Sequence, residues 1–409
     1  MLKSLPALLV LMPIAAQAFT KCDLTEIGGP GAQIVEEASN PVVYGLTAYA
    51  AFAQDTKVQV QVATKNGAAL QPLQTVSDQT APVYNVRLAA IGSYLYVTWL
   101  QGTTRKNTHL FVIANSRRGD PKSWGTPIDL GSAHRSLQQI SVDGKNVHIA
   151  YVAPDNHTSV VTSKNNGQTF SAPVDLGKGD GEVVVVSLGR QVYVAWEFGR
   201  ESTHPSIDFA VSHDNGATFK VRNISDNGVR NAHEPIFSLN PQTGRLSLVW
   251  REDTPQIGAY LQSNDYGETF SAPLTIDTDS RQFMIQDAGD KIYATYLKDY
   301  TTNDRSDWQV QIAVSSDNGT SFPEIHNLSG PTGISKIVGD NQRPVPWAGG
   351  GQIRVTGIAV DGARIWSGRA GSINTTPVYL GPGEIASPQG NVALWQAPEG
   401  VVTYAYCHQ

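Results

Sequence analysis

The sequence predicts an all-β protein built from repeated four-stranded units, a β-propeller with seven or eight blades. Three observations support this prediction: a composition suited to strands and turns, a turn pattern that recurs at a nearly constant spacing, and a second pattern with the same period. A chain of 409 residues would ordinarily suggest two or three domains, about 150 residues each, but a repeat architecture overrides that estimate. We therefore expect residues 19–409 to form one domain.

The composition favours strands over helices. The chain has 38 Gly and 23 Pro but only three Met, and it is rich in Val, Thr and Tyr. β-Branched and aromatic residues are enriched in strands, and Gly and Pro mark the turns between them. No long segment has apolar residues at a helical period, so we expect many short strands.

The first repeat is an eight-residue pattern that begins with Ser, has Asp or Asn at the third position and Gly at the fifth, and ends with Phe. It occurs at residues 163–170, 212–219, 263–270 and 315–322, with weaker copies at 116–124 and 63–70. In such a turn the Asp or Asn side chain accepts backbone N–H groups and Gly takes the positive-φ position. The pattern therefore predicts one tight turn in each repeat.

The second repeat is a turn glycine followed six or seven residues later by an aromatic residue that ends an alternating strand. Its copies are Gly92 to Trp99, Gly144 to Tyr151, Gly189 to Trp196, Gly244 to Trp250, Gly289 to Tyr296 and Gly400 to Tyr406, with Gly362 to Trp366 as a shorter member. We interpret it as the hairpin between the first two strands of a blade. Together with Phe52, the aromatic residues predict seven or eight blades, with eight favoured.

The two ends of the chain are expected to meet. The last hairpin, residues 391–408, has no chain left for its outer strands, so we expect residues 20–37 to supply them. The mature chain has two cysteines, Cys22 and Cys407, one near each end. In an exported protein such a pair predicts a disulfide that holds the two ends of the chain together.

The first 18 residues have the features of a cleavable export signal. Lys3 is followed by an apolar run over residues 5–16 and by small residues at Ala16 and Ala18. This arrangement predicts cleavage before Phe19 and a secreted or periplasmic protein. The apolar run is too short to span a bilayer, so no membrane insertion is expected. The net charge of −6 and the scattered Lys and Arg residues exclude nucleic acid as a partner, and we expect a monomer.

The first repeat resembles the Asp-box, also called the bacterial neuraminidase repeat, of sialidase-like β-propellers. The resemblance implies that the repeated turns join the third and fourth strands of each blade. It also implies that ligands are handled on the opposite face, formed by loops between second and third strands and by connections between blades. We call this opposite face the loop face. The expected ligand-binding residues on it are Arg230, Glu234, Arg251, Arg281, Arg343 and Trp347.

Glu234 and Arg251 are singled out by their position in the repeat. Arg251 directly follows the strand-ending Trp250, where other complete blades have Leu, Val or Glu, and Glu234 precedes it by 17 residues. In sialidases a glutamate at about this distance before the second of three arginines assists a tyrosine nucleophile. The resemblance therefore implies that Arg251 holds a ligand carboxylate and that Glu234 is the only candidate catalytic residue.

The rest of the sialidase set is incomplete. The first-blade arginine is missing, since residues 40–45 contain none. Candidates for a third arginine are Arg281, Arg305 and Arg343, and candidates for the nucleophile are Tyr296, Tyr300 and Tyr379. Zinc, redox, serine-hydrolase and phosphate-loop motifs are absent from the sequence. No cofactor is expected, and calcium in the loop 299–307 is considered although the loop lacks EF-hand spacing.

Two functions remain open from the sequence. The favoured one is a non-catalytic exported propeller that binds a glycan or a protein through its arginine-rich loop face, because such residues pair with carboxylates and stack on sugars. The alternative is an exo-acting glycoside hydrolase of sialidase type, in which Arg251 would hold the carboxylate of the sugar. Both hypotheses assign the same residues to the ligand.

Overall fold

The chain forms an eight-bladed β-propeller of antiparallel sheets. The computed structural model describes residues 19–34, 41–78, 80–104, 108–134, 138–200, 204–225, 231–300, 308–329, 343–349, 352–359, 362–369, 372–381, 385–396 and 400–408. Every strand pair in these ranges is antiparallel, and no α-helix occurs in them. The prediction of an all-β propeller is confirmed, and of the two blade numbers the larger one is correct.

Blades are numbered along the chain, and blades 1 to 7 each use consecutive strands. Blade 1 contains β2 (Ala32–Gln33), β3 (Val42–Tyr44), β4 (Thr47–Gln54), β5 (Lys57–Thr64), β6 (Ala69–Leu70) and β7 (Gln74–Thr75). Blade 2 contains β8 (Val83–Ile91), β9 (Tyr94–Gly102), β10 (Thr108–Asn115) and β11 (Ile128–Ser132). Blade 3 contains β12 (Gln138–Asp143), β13 (Asn146–Val152), β14 (His157–Ser163) and β15 (Val174–Lys178). Blade 4 contains β16 (Val183–Leu188), β17 (Gln191–Phe198), β18 (Ser206–Ser212) and β19 (Lys220–Asn223).

The second half of the ring repeats this organisation. Blade 5 contains β20 (Ala232–Leu239), β21 (Leu246–Asp253), β22 (Gln256–Ser263) and β23 (Leu274–Thr278). Blade 6 contains β24 (Ser280–Asp287), β25 (Ile292–Asp299), β26 (Trp308–Ser315) and β27 (Glu324–Asn327). Blade 7 contains β28 (Val345–Gly349), β29 (Gln352–Ala359), β30 (Gly362–Arg369) and β31 (Ser372–Gly381). Blade 8 contains β32 (Ile385–Gln389), β33 (Val392–Gln396) and β34 (Val402–His408), with β1 (Lys21–Gly28) as its outermost strand.

The hydrophobic core lies between neighbouring blades. The middle strands are buried on both faces and alternate Val, Ile, Leu and Ala with large aromatic residues. Trp196, Trp250 and Tyr296, which end the second strands of blades 4, 5 and 6, are completely buried. The aromatic residues of the second repeat are therefore packing residues that hold adjacent sheets together.

The first repeat forms the turns between third and fourth strands, as its resemblance implied. In the four complete copies the backbone N–H of the glycine donates to the Ser hydroxyl at 2.8–2.9 Å. The third-position side chain accepts the N–H four residues later at 2.9–3.0 Å. The glycines have φ between +74° and +81°, which an L side chain tolerates poorly. These turns use their polar groups internally.

The aspartates of these turns predict sensitivity to acid. Hydrogen bonds from Thr218, Thr269 and Ser321 hold the pKa of Asp214, Asp265 and Asp317 below the ordinary value. A depressed folded-state pKa stabilises the protein above about pH 4, and this stabilisation is lost as the pH falls towards 2.

The matched variant replaces all three aspartates with asparagine, since Asn165 already accepts the same bond in blade 3. We expect its melting temperature at neutral pH to be close to that of the wild type. Between pH 4 and pH 2 it should fall less steeply. An equal fall in melting temperature for the two proteins between pH 4 and pH 2 would contradict the assignment of acid sensitivity to these aspartates.

Side chains of neighbouring blades cover the inner edges of the sheets. The innermost strand of a propeller blade has one row of backbone groups with no further strand to pair with. Gln139 accepts the N–H of Val185 at 2.7 Å, and Ser238 accepts the N–H of Asp287 at 2.7 Å. The same arrangement joins Gln286 to Ala348 at 2.8 Å and Gln389 to Val43. Each of these inner strands is thus tied to the preceding blade by at least one side chain.

The ring closes where both ends of the chain meet, as predicted. In blade 8, β1 pairs with β34 in antiparallel register, and Cys22 lies opposite Cys407. The two cysteines form a disulfide that spans 385 residues of sequence. The prediction of strands from both ends, locked by this bond, is confirmed.

Two details of the predicted strand assignment are wrong. Gly400 to Tyr406 does not form the first hairpin of its blade: the turn at Gly390 does so, and β34 is the third strand. One N-terminal strand therefore completes blade 8, and residues 32–33 pair with β4 of blade 1. Trp366 likewise lies on β30, the third strand of blade 7. Blades 7 and 8 lack the first repeat, so the sequence offered no reference point for their strands.

Candidate functional site

A cluster of charged side chains lies where the inner strands begin on the loop face. Successive inner strands run in the same direction through the ring, so the residues at their N-terminal ends meet at one end of the central channel. Blades 4, 5, 6 and 7 each contribute to the cluster. We call it the entrance cluster, and its members are Glu182, Glu197, His233, Glu234, Arg251, Asp253, Arg281, Gln282 and Arg343.

A repeated β-bulge shapes this end of the inner strands. The register shifts after the second residue of β8, β20 and β24. The bulged residues are Asn85, Glu234 and Gln282, with φ of +49°, +59° and +60°. Positive φ is uncommon for residues other than glycine, and bulges often re-aim side chains next to functional sites. The bulge turns Glu234 and Gln282 towards the entrance cluster.

Glu234 and Arg251, the pair singled out in the sequence, face each other in blade 5. His233 and Arg251 are directly opposite on β20 and β21, which brings the following Glu234 beside the arginine. The Arg251 Nη2 atom is 3.7 Å from Glu234 Oε1, and the two side chains are only 18% and 12% exposed. Among the described residues neither Arg251 Nε nor Glu234 Oε2 has a hydrogen-bond partner. The pair is therefore close and largely buried, but its hydrogen-bonding capacity is not used up.

Arg343 crosses the channel entrance. It precedes β28 of blade 7, yet its Nη2 atom is 2.6 Å from Glu182 Oε1 at the start of blade 4. The same atom lies 3.5 Å from Glu234 Oε2, and Nε donates to Gln282 Oε1 at 3.3 Å. Arg343 thus joins four consecutive blades and places a layer of polar groups across the channel entrance.

His233 is held between two carboxylates. Its Nδ1 atom is 2.6 Å from Glu197 Oε1, and its Nε2 atom is 3.3 Å from Asp253 Oδ2. Burial by itself lowers the pKa of His233, but the hydrogen bonds to Asp253 and Glu197 outweigh it and raise the pKa to about 9. His233 is therefore a cation at neutral pH.

The acidic residues around Arg251 have opposite pKa shifts. Burial raises the pKa of Glu234, and the neighbouring Glu182 and Glu197 add to this effect against the pull of Arg343 and Arg251. Burial also raises the pKa of Asp253, but the hydrogen bond with His233 and the charge of Arg251 outweigh it and bring this pKa below the ordinary value. Glu234 thus keeps its proton to higher pH than Asp253 does.

The cluster combines positive and negative groups. Its three arginines and the protonated His233 lie among the carboxyl groups of Glu182, Glu197, Glu234 and Asp253. The arginine side chains are suited to pairing with an anionic group of a ligand.

Arg281 is the remaining predicted site residue that belongs to the entrance cluster. Arg281 packs over the ring of Trp308, 4.1 Å from its centroid, and its charge acts on Asp253. Trp347 is partly exposed on β28, four residues beyond Arg343. Arg230 and Arg305 lie outside the described residues, as does the predicted signal peptide at residues 1–18.

None of the three candidate tyrosines is bonded to Glu234, whose ionic partners in the described chain are Arg251 and Arg343. Tyr296 is buried and donates to Asp277 Oδ2 at 2.8 Å. Tyr379 lies on the outermost strand of blade 7 near Arg364, and Tyr300 is exposed.

An apolar cavity of about 350 Å³ lies in the channel below the entrance cluster. It is lined mainly by side chains two residues further along the same inner strands, such as Val184, Ile236 and Met284. Successive same-face positions on a strand are about 7 Å apart. The apolar lining of the cavity therefore begins directly beyond the polar residues of the entrance cluster. Polar ligands are therefore expected to stay at the entrance.

Five members of the cluster were missed by sequence reasoning: Glu182, Glu197, His233, Asp253 and Gln282. Glu197 occupies the same repeat position as Arg251, directly after a strand-ending aromatic residue, and this equivalence was the available signal. The other four lie within a few residues of inner- or second-strand ends, where the sequence contains many other polar and charged residues.

Within the described ranges no group of three or more His, Cys, Asp or Glu residues is arranged to hold a metal ion. Most of the candidate calcium loop at residues 299–307 lies outside those ranges. The described segments also contain no helix long and apolar enough to cross a bilayer.

The fold defines the chain as an eight-bladed β-propeller. No family model matches it, and no curated protein matches its sequence. Among solved structures it is similar to an ulvan lyase of polysaccharide lyase family PL25 bound to -[GlcA(1-4)Rha3S]-, at 11% identity and a TM-score of 0.52 over 86% of this chain and 96% of the lyase.

Two other solved structures are also similar. A prolyl endopeptidase matches at 9% identity and a TM-score of 0.54 over 90% of this chain but only 54% of the peptidase. The Hadza microbial sialidase Hz136 matches at 14% identity and a TM-score of 0.44 over 78% of this chain and 74% of the sialidase. At these identities the likeness concerns the fold.

Proposed function

We propose that the protein is an exported binding module that holds the carboxylate of an acidic glycan at the entrance cluster. The disulfide between the chain ends suits an oxidising compartment outside the cytosol. The hydrogen-bonded turns between third and fourth strands support their interpretation as Asp-boxes. Such turns have a structural role, which leaves the loop face for the ligand.

The observation that carries the proposal is the unused hydrogen-bonding capacity of Arg251 and Glu234. A buried polar atom without a partner costs about 1–3 kcal/mol, so it is seldom retained without a reason. Arg251 Nε and Glu234 Oε2 make no hydrogen bond within the described chain and have only longer ionic contacts, to Asp253 Oδ1 at 3.4 Å and to Arg343 Nη2 at 3.5 Å. A ligand that supplies an acceptor to Arg251 and a hydroxyl to Glu234 would give both atoms a hydrogen bond.

An acidic sugar fits these requirements. Arginine presents a planar fork of N–H donors that matches a carboxylate, and the neighbouring ring hydroxyls of a sugar can donate to a glutamate. Arg343 beside Glu234 and the protonated His233 bring further positive charge to the cluster. Binding should therefore select acidic over neutral sugars.

Arg251→Ala is the direct test. We expect it to weaken binding of an acidic oligosaccharide by about 100-fold, because a charge-assisted bidentate contact is lost from a partly buried site. Titration calorimetry against sialic-acid and uronic-acid oligosaccharides measures the effect, and Arg251→Lys should recover only part of the affinity.

The matched control is Arg190→Ala, which removes an exposed arginine at a hairpin turn on the opposite face. It should leave both binding and melting temperature unchanged. Equal affinities for Arg251→Ala and wild type would contradict the proposal, as would loss of binding in Arg190→Ala alone. Selective binding of an acidic protein or peptide through Arg251 would show that the ligand is a protein and not a glycan.

Glycoside hydrolysis is the second candidate function, and the opposite pKa shifts of Glu234 and Asp253 favour it. Two carboxyl groups whose environments push their pKa values apart are suited to act as acid and base. Glu234 would then protonate the leaving oxygen, which differs from the tyrosine-assisting role implied by the sialidase resemblance. Release of product from a fluorogenic sialoside or uronide by wild type, and its loss in Glu234→Gln, would make this the function.

A further inference from the structure

A second pocket lies on the loop face between blades 3 and 4. Its volume is about 200 Å³, and it is lined by Asp155, Asn156, Lys178, Gly179, Asp180 and Phe198. Phe198 ends β17 and is 40% exposed. An exposed aromatic ring set among polar and charged side chains, here two aspartates, Asn156 and Lys178, is the kind of surface on which a sugar ring stacks. We call this site the Phe198 pocket.

The Phe198 pocket adjoins the entrance cluster. Glu197 and Phe198 are consecutive on β17, so their side chains lie on opposite faces of the blade 4 sheet. Glu197 reaches His233 of blade 5, whereas Phe198 lines the pocket shared with blade 3. The end of blade 4 is thus a narrow ridge with the charged cluster on one side and the aromatic pocket on the other.

The blade 3 to blade 4 connection fixes the spacing across this ridge. The backbone N–H groups of Asp180 and Gly181 lie 3.2 and 3.3 Å from the carbonyl of Glu197 and donate to it. Asp180 belongs to the Phe198 pocket, and Glu182 belongs to the entrance cluster. Two residues of extended chain span at most about 7 Å. The facing edges of the two sites, at Asp180 and Glu182, are therefore within the reach of neighbouring units of one oligosaccharide.

The polar groups of the Phe198 pocket are held in place by the backbone. Asp155 Oδ1 accepts the N–H of His157 at 3.3 Å, and Asp180 Oδ1 accepts the N–H of Arg200 at 2.9 Å. Asn156 has φ of +62° and accepts the N–H of Gly179 through its carbonyl at 2.8 Å. Among the residues that the structure describes, the other oxygen of each carboxylate accepts no hydrogen bond, so it can accept one from a ligand hydroxyl. The Phe198 pocket presents fixed acceptors around an aromatic face, which suits a neutral sugar unit.

We infer that the Phe198 pocket is a second subsite, which binds the sugar unit next to the acidic unit held by Arg251. This inference rests on the proposed function and specifies its ligand: an oligosaccharide in which an acidic unit is linked to a neutral one. A free acidic monosaccharide fills one subsite only. Affinity should therefore rise with chain length, from one unit to two.

The test compares an acidic monosaccharide with a disaccharide that links the same acid to a neutral sugar. Calorimetry on the wild-type protein should give about tenfold higher affinity for the disaccharide, since one aromatic stacking contact and its buried area contribute on this scale. Phe198→Ala should abolish this gain and leave the affinity for the monosaccharide unchanged. Phe198→Tyr should retain the gain.

Tyr266→Ala is the matched control, because Tyr266 is a 53% exposed aromatic residue in a repeated turn on the opposite face. It should affect neither ligand. Equal affinities of wild type for the two ligands, with Arg251-dependent binding of the monosaccharide, would overturn the second subsite but keep the proposed function. A length gain that survives in Phe198→Ala would place the second sugar unit elsewhere. No binding of either ligand would overturn both.

Discussion

Arg245→Ala is expected to lower the free energy of unfolding by about 3–5 kcal/mol, because it leaves a buried carboxylate without its cation. Arg245 at the start of β21 in blade 5 and Asp287 at the end of β24 in blade 6 form a bidentate pair. The two N–O distances are 2.5 and 2.9 Å, and the side chains are 4% and 0% exposed. Arg245 also donates to the carbonyl of Gly289 and to Asn318. One arginine thus ties together two blades near the repeated turns.

Chemical denaturation followed by tryptophan fluorescence measures this effect. The double variant Arg245→Leu with Asp287→Leu should recover much of the loss, since it removes both charges instead of one. Arg190→Ala on the same face provides the surface control and should change stability by less than about 0.5 kcal/mol. If Arg245→Ala changed the free energy of unfolding as little as Arg190→Ala, the pair of Arg245 and Asp287 would not stabilise the contact between blades 5 and 6.

Cys22→Ser is expected to lower the free energy of unfolding by about 2–5 kcal/mol while the fold is kept. The disulfide closes a loop of 385 residues, so its loss gives the unfolded chain much more freedom. The fold should survive because β1 and β34 remain paired along most of their length. Reduction of the wild-type protein should produce a similar loss.

The disulfide prediction is checked by comparing three samples. The double variant with Ala at both cysteine positions separates loss of the bond from the effect of a free thiol on buried Cys407. Mass spectrometry of the unreduced wild type should find the two terminal peptides linked. Free thiols in protein recovered from an oxidising compartment, or unchanged stability on reduction, would contradict the role of this bond.

The fold was largely predictable because its signals repeat. The turn glycines at 167, 216, 267 and 319 fix the length of a blade, and each turn is satisfied by its own residues. Such local signals are independent of tertiary contacts. Blades 7 and 8 lack them, and there the strand assignments around Trp366 and Tyr406 were wrong.

The candidate site was predictable only where it coincides with the repeat. Arg251 occupies a fixed repeat position at which other complete blades have Leu, Val or Glu, so its positive charge could be recognised from the sequence. Glu234 was then identified by its distance along the chain from Arg251. The contact between Arg343 and Glu182 joins residues 161 positions apart on blades that are not neighbours. No local pattern specifies such a contact, because it depends on how the whole ring closes around its channel.

The side chains that cover the inner edges of the sheets make the ring a single cooperative unit. In an open array of repeats, a terminal repeat can be removed and the remainder keeps its nearest-neighbour contacts. Here Gln139, Ser238, Gln286 and Gln389 each satisfy the backbone of the next blade, and the last of these reaches blade 1. Deleting blade 6, for example, would leave Ser238 of blade 5 and the backbone N–H of Ala348 in blade 7 without their partners. Gain or loss of such a repeat would therefore require new contacts at both neighbouring blades, which favours change by point substitution.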